Sequence, residues 1–106
     1  MNRLIIAGVF FVIIGIPFYL GKVAPNRWSG FRVPKTFSSP ETWYAANKTM
    51  GFDLIIAGAV MLVTALILAI VSQKHPGVPL ERISYGVFLT ALVVAAVHSF
   101  WALSRL

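Results

Sequence analysis

Residues 54–71, LIIAGAVMLVTALILAIV, decide the fold, because these 18 positions contain no charged side chain. A helix rises about 1.5 Å per residue, so this stretch covers roughly 27 Å, close to the hydrocarbon thickness of a bilayer. Asp53 precedes the stretch, and Lys74 follows it after two polar residues. Charges therefore stand at both ends and none in between, which predicts a transmembrane helix.

Two further apolar stretches flank this one, at residues 4–20 and 83–103. Arg3 and Lys22 bound the first of them, and Arg82 and Arg105 bound the second. The whole chain is 58% hydrophobic and only 11% charged, whereas soluble domains are nearer 25% charged. We therefore predict an all-α, polytopic membrane protein: three transmembrane helices forming one membrane domain over residues 1–106.

The first apolar stretch also has to be weighed as a secretory signal peptide. A signal peptide has an apolar core of about 7–15 residues followed by a small-x-small cleavage site. Residues 4–20 are longer than that, and Lys22-Val23-Ala24 runs directly into Pro25, a poor context for cleavage. An uncleaved helix is the better interpretation, with a kink or an early end at Pro17, which lacks the N–H that a helix interior needs.

The distribution of cations predicts the orientation of the three spans in the membrane. Lys22, Arg27, Arg32, Lys35, Lys48 and Arg105 fall on one side, and Arg3, Lys74 and Arg82 fall on the other. Loops rich in Lys and Arg stay in the cytoplasm. The long first loop and the C-terminus are therefore predicted to be cytoplasmic and the N-terminus to lie outside. The same cations can meet anionic lipid headgroups, whereas they follow no soluble nucleic-acid-binding face.

The first loop, residues 21–51, is the longest polar segment. Ser39-Pro40-Glu41 is a strong helix start, with Ser as N-cap, Pro at the first position and an acid in the first turn. We expect a short amphipathic, interfacial helix from Pro40 to about Met50, with Gly51 as its end or as a hinge into the second span. Trp43, Asn47 and Met50 would share one face of it. Aromatic residues interleaved with cations fit a membrane–water interface.

Catalytic chemistry has little support in this sequence. There is no cysteine, and the carboxylates are limited to Glu41, Asp53 and Glu81. No phosphate-binding glycine loop, metal-ligand cluster or nucleophile–base pair is recognisable, so we expect neither an enzyme nor a cofactor or metal site. Small residues at four-residue spacing, as in Ala91 and Ala95, favour close helix packing within the chain or between copies in a homo-oligomer.

His98 is an ionisable side chain inside the third apolar stretch, which makes it a candidate functional residue. It lies within about two turns of the C-terminal end. We therefore expect it at the membrane interface or in a hydrogen bond to a neighbouring helix, with a proton-relay or metal-binding role as the alternative. Asp53 is expected to favour the positive end of a helix dipole or to pair with a cation of the loop.

The order of residues in the loop resembles the signature of the SdpI family. The resemblance rests on Pro25-Asn26, Gly30-Phe31-Arg32-Val33-Pro34, Trp43, Asn47-Lys48 and Gly51, with a span on each side. We call residues 21–51 the motif segment. The motif positions, taken as candidate binding residues, are Pro25, Asn26, Gly30, Arg32, Pro34, Trp43, Asn47, Lys48 and Gly51.

The resemblance implies a short, three-helix member of a family of bacterial inner-membrane proteins of the toxin-immunity type. Such proteins protect a cell from a secreted, membrane-active peptide toxin, here by binding through the motif segment. Arg32 can hold a phosphate or a carboxylate bidentately, or it can form an internal ion pair with Glu41 or Asp53. The alternatives from other functional classes are a small oligomeric transport or channel subunit and a lipid-binding membrane scaffold.

Overall fold

The computed structural model describes residues 1–106 and contains three long helices and no strands. The helices are α1 (Asn2–Tyr19), α2 (Pro40–Lys74) and α3 (Leu80–Ser104), and a single 3₁₀ turn covers Pro34–Phe37. Each of the three helices is long and apolar enough to cross a membrane. The all-α, three-span architecture predicted from the sequence is confirmed.

The short interfacial helix predicted before the second span does not exist as a separate element. Helix α2 begins at Pro40 as predicted but continues unbroken to Lys74, so Gly51 neither ends it nor acts as a hinge. Ser39 caps it, its side-chain oxygen accepting the Thr42 N–H at 3.1 Å. A glycine inside a helix costs only about 1 kcal/mol, and the close packing of Gly51 against α1 offsets that cost.

The length of α2 places part of it outside the hydrocarbon. Its 35 residues span roughly 52 Å, whereas a bilayer core is about 30 Å thick. Residues 54–71 fill the apolar layer, so the first turns of α2 project beyond it on the side of the motif segment. These turns carry Trp43 and Asn47 and give the non-helical residues a helical surface on which to pack.

Helices α1 and α2 approach each other through two pairs of glycines, Gly8 with Gly58 and Gly15 with Gly51. A Cβ on Gly58 would lie 2.5 Å from the Gly8 carbonyl oxygen, and a Cβ on Gly15 would lie 2.5 Å from that of Gly51. The glycines are seven residues apart on both helices, so the two contacts are two turns apart. Their missing side chains let the backbones of two antiparallel helices touch, a common basis for helix association in lipid.

Helix α2 lies between the other two helices and contacts both. Ala57, Met61 and Ala65 of α2 form a buried cluster, against which Ala91 and Ala95 of α3 pack. The alanines that the sequence singled out for close helix packing therefore serve contacts within the chain. Homo-oligomerisation stays a prediction.

Helix α1 continues through Pro17 and ends at Tyr19, one residue before the end of the apolar stretch, so the early end expected from that proline does not occur. Gly21, at a φ of +68°, then turns the chain into the motif segment. At the other end of the molecule the N-terminal ammonium of Met1 pairs with Glu81 at the start of α3. The motif segment and the C-terminus thus share one end of the bundle, as three antiparallel spans require.

Candidate functional site

Trp43 is the anchor on which the motif segment is built. It is fully buried, and its indole N–H donates to the Val23 carbonyl oxygen at 3.0 Å. The Phe37 ring packs on the Trp43 ring with 5.3 Å between centroids. One side chain on α2 therefore holds both the beginning of the non-helical chain and the 3₁₀ turn near its end.

Asn47, one turn further along α2, makes hydrogen bonds to both the N–H and the carbonyl group of Phe31. Its Oδ1 accepts the Phe31 N–H at 2.6 Å, and its Nδ2 donates to the Phe31 carbonyl oxygen at 3.4 Å. Nδ2 also donates to the Trp43 carbonyl oxygen at 3.0 Å. The side chain is 2% exposed, so these bonds are made away from water. An amide is required because both a donor and an acceptor are used.

Gly30 is required at its position for two independent reasons. Its φ is +99°, a conformation that side-chain-bearing residues rarely adopt. A Cβ at this position would also lie 2.6 Å from Oδ1 of Asn47 and 2.7 Å from the Phe18 ring. The glycine thus lets the chain pass between α1 and the Asn47 amide.

Two local side-chain turns shape the rest of the non-helical chain. Asn26 Oδ1 accepts the backbone N–H groups of Trp28 and Ser29, each at 2.8 Å. The buried Thr36 hydroxyl accepts the Val33 N–H at 3.0 Å and donates to the Val33 carbonyl oxygen at 2.7 Å. Such bonds let polar side chains satisfy backbone groups where no helix or sheet does so.

Arg32 lies on the exposed surface of the segment. Its Nη1 donates to the Arg27 carbonyl oxygen, and it makes no ion pair with Glu41 or Asp53. Both internal pairings considered from the sequence are therefore wrong. The guanidinium braces the turn through this hydrogen bond. Trp28, in the same turn, is 87% exposed.

Lys48 is also exposed, and its Nζ lies 5.4 Å from the centroid of the Tyr19 ring at the end of α1. The nine motif positions thus divide into a buried and an exposed group. Gly30, Trp43, Asn47 and Gly51 are interior or nearly so, Asn26 is half-buried, and Pro25, Arg32, Pro34 and Lys48 are exposed. The buried members order the segment, and the exposed members, two of which are cations, are the motif positions open to contact from outside the chain.

A cluster of three polar side chains joins α2 to α3. Nδ1 of His98 lies 2.8 Å and 2.9 Å from the two carboxylate oxygens of Asp53. The Ser99 hydroxyl donates to Oδ2 of the same carboxylate at 2.7 Å. The expected hydrogen bond from His98 to a neighbouring helix is confirmed. The expected position of Asp53 at a helix N-terminus is wrong, because it lies thirteen residues after Pro40 in the continuous α2.

The order of these three side chains matters for their chemistry. Ser99 donates to the carboxylate and not to the imidazole, so the hydroxyl–imidazole–carboxylate order of a nucleophilic triad is not formed. No group of three or more His, Cys, Asp or Glu side chains is brought together that could hold a metal ion. The arrangement is a buried carboxylate with two hydrogen-bond donors, the Ser99 hydroxyl and the His98 imidazole. The imidazole has a second nitrogen that can bind a further proton.

A groove between α2 and α3 opens beside this pair. Its volume is about 670 Å³, and its lining is mostly aliphatic. Thr64 and Thr90 are the other polar side chains that line it, and Asp53 and His98 stand at one end. On α3 the lining runs from Ile83 to His98, at helical spacing. The sequence did not reveal this groove, because its lining depends on how two apolar helices face each other.

Comparison with known proteins gives one match. The sequence model of the SdpI/YfhL protein family matches residues 22–102, which cover all but the first residue of the motif segment, the whole of α2 and all but the last two residues of α3. No curated protein and no solved structure matches the chain.

Proposed function

The chain belongs to the SdpI/YfhL protein family, and from this premise we propose that it protects a bacterial inner membrane against a membrane-active peptide toxin. In this proposal the motif segment binds the toxin itself or another membrane protein through which the toxin acts. The family match supports the class of protein, and the organisation of the segment supports the place of binding.

The observation that carries the proposal is that the segment is ordered from within and leaves its binding groups outside. Trp43 and Asn47 hold the backbone through buried hydrogen bonds. Trp28 and Arg32 then project from a surface that is already shaped. Binding to a pre-organised surface avoids much of the entropy cost of ordering a loop. An anchor for the interface alone needs only exposed aromatic rings and cations, and no buried amide beneath them.

The charge of the segment indicates the chemistry of the ligand. Five cations stand against one carboxylate, Glu41, over residues 21–51. Arginine prefers planar oxyanions such as carboxylates and phosphates, and an exposed indole adds apolar contact and favours the interface. A peptide with acidic side chains or a free C-terminal carboxylate, lying at the membrane surface, fits this combination. We place the segment and the C-terminus in the cytoplasm and the N-terminus outside, from the cation distribution.

The same surface also suits a second function, a scaffold that binds anionic lipids and meets no toxin. Each surface cation near an anionic membrane contributes about 1 kcal/mol, so the five cations favour lipid attachment. The two functions differ in their prediction for living cells. A lipid scaffold retains anionic lipid through the segment without changing survival when toxin is present.

The test is the survival of a toxin-sensitive bacterial strain that expresses the chain during challenge with a membrane-active peptide toxin. The wild type is compared with Arg32→Lys and Trp28→Ala, which change exposed groups and leave the buried network intact. Matched controls are Arg82→Lys and Tyr85→Ala, which change an exposed cation and an exposed ring at the opposite end of the molecule. All five proteins must reach the membrane in equal amounts.

We expect protection by the wild type and both controls, and its loss in the two variants of the motif segment. No protection by the wild type would contradict the proposed function and leave the family membership standing. Anionic lipid that co-purifies with the wild type but not with Trp28→Ala, in the absence of protection, would select the scaffold.

A further inference from the structure

We propose that Asp53, His98 and Ser99 form a proton-binding site at the edge of the membrane, whose proton is taken up at Nε2 of His98. We also propose that the last turns of α3 connect this site to the motif segment. Neither proposal depends on toxin binding, because both rest on contacts between α2, α3 and Phe31.

The geometry assigns the protons of the three side chains. A carboxylate that accepts the Ser99 hydroxyl on Oδ2 and faces Nδ1 of His98 with both oxygens is surrounded by donors. In this arrangement Nδ1 of His98 carries a hydrogen atom and uses it in a hydrogen bond to Asp53. The second ring nitrogen, Nε2, is the atom left to gain or lose a proton.

The exposure of the two residues separates their roles. The Asp53 side chain is 9% exposed, whereas the His98 side chain is 48% exposed and lines the α2–α3 groove. The carboxylate is thus enclosed between the helices, and the imidazole is open at the end of the groove nearest the motif segment. Protons from the aqueous interface can reach the ring without the helices separating.

No other titratable group faces this site. Asp53 and His98 are the two titratable residues among those that line the groove. On α3, the Trp101 ring stacks on His98 at 5.9 Å and lies between it and Arg105. On α2, Lys48 faces the Tyr19 ring of α1 instead. The charge of the site is therefore set by its own proton.

Proton uptake changes how strongly α2 and α3 hold together at this point. With Nε2 unprotonated, a neutral imidazole donates to a carboxylate and the site carries one negative charge. With Nε2 protonated, the site is a neutral ion pair, and a charge-assisted hydrogen bond is roughly twice as strong as a neutral one. An unpaired charge near hydrocarbon is also costly. Both effects make the α2–α3 contact tighter when the proton is bound.

The contact extends from this site to the motif segment through the C-terminal turns of α3. The Phe100 ring, two residues after His98, meets the Phe31 ring edge-on with 4.8 Å between centroids. Leu103 packs with Phe31 and Ala46 in one buried cluster. Phe31 is also the residue whose N–H binds Asn47. A shift of α3 at His98 would therefore act on the hydrogen bond that orders the segment.

The first experiment is ¹⁵N NMR of the histidine rings of the full chain in lipid nanodiscs, across roughly pH 5–9, where histidine titrates. We expect Nδ1 of His98 to stay protonated throughout while the Nε2 resonance moves with pH. His75, in an exposed turn, is the control in the same spectrum and should show an exchanging mixture of tautomers. An Nε2 resonance of His98 that does not move, or a ring protonated at Nε2 alone, would overturn the proton-binding site.

The second experiment follows amide hydrogen exchange of Phe31, corrected for the intrinsic effect of pH. We expect protection about tenfold greater with the proton bound, since the contact gains an ionic component. The Trp28 amide, held by the local Asn26 turn, should keep the same protection at every pH. Ser99→Ala retains both ionisable groups and should keep the dependence, whereas Asp53→Asn should abolish it. Equal protection of Phe31 at all pH values would overturn the connection to the motif segment.

Discussion

The two helix–helix contacts of this molecule differ in kind. Helices α1 and α2 approach most closely at the glycines, with backbone against backbone and apolar side chains around them. Helices α2 and α3 meet through alanines, a polar cluster and a groove of about 670 Å³. At the glycine pairs there is no rotamer or charge to change, because glycine has no side chain. Under the proposal above, the contact made by Asp53, His98 and Ser99 changes its strength with a single proton. We therefore expect the α1–α2 pair to be the fixed part of the molecule and α3 to be the part able to respond.

The largest effect on stability is expected from a side chain placed between the two backbones of the fixed contact. A Cβ on Gly51 would lie 2.6 Å from the Gly15 carbonyl oxygen and 2.6 Å from the Tyr19 nitrogen. Neither atom can move without shifting a helix, so Gly51→Val should destabilise the protein by about 3 kcal/mol. Thermal unfolding in detergent measures this. Gly86→Val on α3 is the matched control, because a Cβ there meets nothing within 4 Å. Equal losses of thermal stability in both variants would contradict a specific role for the close contact between the Gly15 and Gly51 backbones.

The next effect is expected where the motif segment is held to α2. Asn47→Ala leaves the buried Phe31 N–H without an acceptor, which costs about 1–3 kcal/mol. The loss of stability should be local. The Phe31 amide should exchange its hydrogen faster, while the amides of α1 keep their protection from exchange. Hydrogen exchange by mass spectrometry resolves the two regions. Lys48→Ala, the exposed neighbour, serves as control, and a similar loss of Phe31 protection there would argue against the amide as the clamp.

A smaller effect is expected at the contact between α2 and α3. Asp53→Asn keeps an acceptor for the Ser99 hydroxyl but removes the charge opposite His98. Interhelical hydrogen bonds in membranes average about 0.6 kcal/mol, so the loss should be near 1 kcal/mol. Hydrogen-exchange rates of the α3 amides measure this loss of stability. Glu41→Gln, an exposed carboxylate on the same helix, should change nothing. A loss above about 3 kcal/mol would mean that α3 is fixed as firmly as α1.

The smallest effect on stability is expected at Arg32, the residue with the largest expected effect on protection. Arg32→Lys keeps the charge on an exposed position, so unfolding should change by less than about 0.5 kcal/mol. Survival of cells under toxin challenge should nevertheless fall, because lysine cannot bind an oxyanion with a planar fork. A protein of unchanged stability that still protects would contradict bidentate recognition by Arg32.

Much of the fold follows from the sequence, and the candidate site follows in part. The helix start at Ser39-Pro40 is a local signal, because a cap and a proline act within one turn. The close packing of Gly51 inside an uninterrupted α2 is not a local signal, because its partner is Gly15 of another helix. The motif pattern identified the family, and the shared face of Trp43 and Asn47 was correctly inferred from their spacing. The pattern did not separate the residues that order the segment from those that face solvent, since burial depends on how the chain folds back onto α2.

The sequence by itself determined that three uncharged stretches are helices long enough to cross a membrane, since lipid leaves a backbone no other way to satisfy its hydrogen bonds. It also determined that most of the cations lie in the polar segment between the first two stretches. Only the tertiary structure decided which glycines touch, that Asp53 faces His98, and that Arg32 is exposed while Asn47 is buried. Those outcomes depend on the rotation of each helix about its own axis. Along a uniformly apolar helix the sequence has little preference among rotations, and packing against the neighbouring helix selects one.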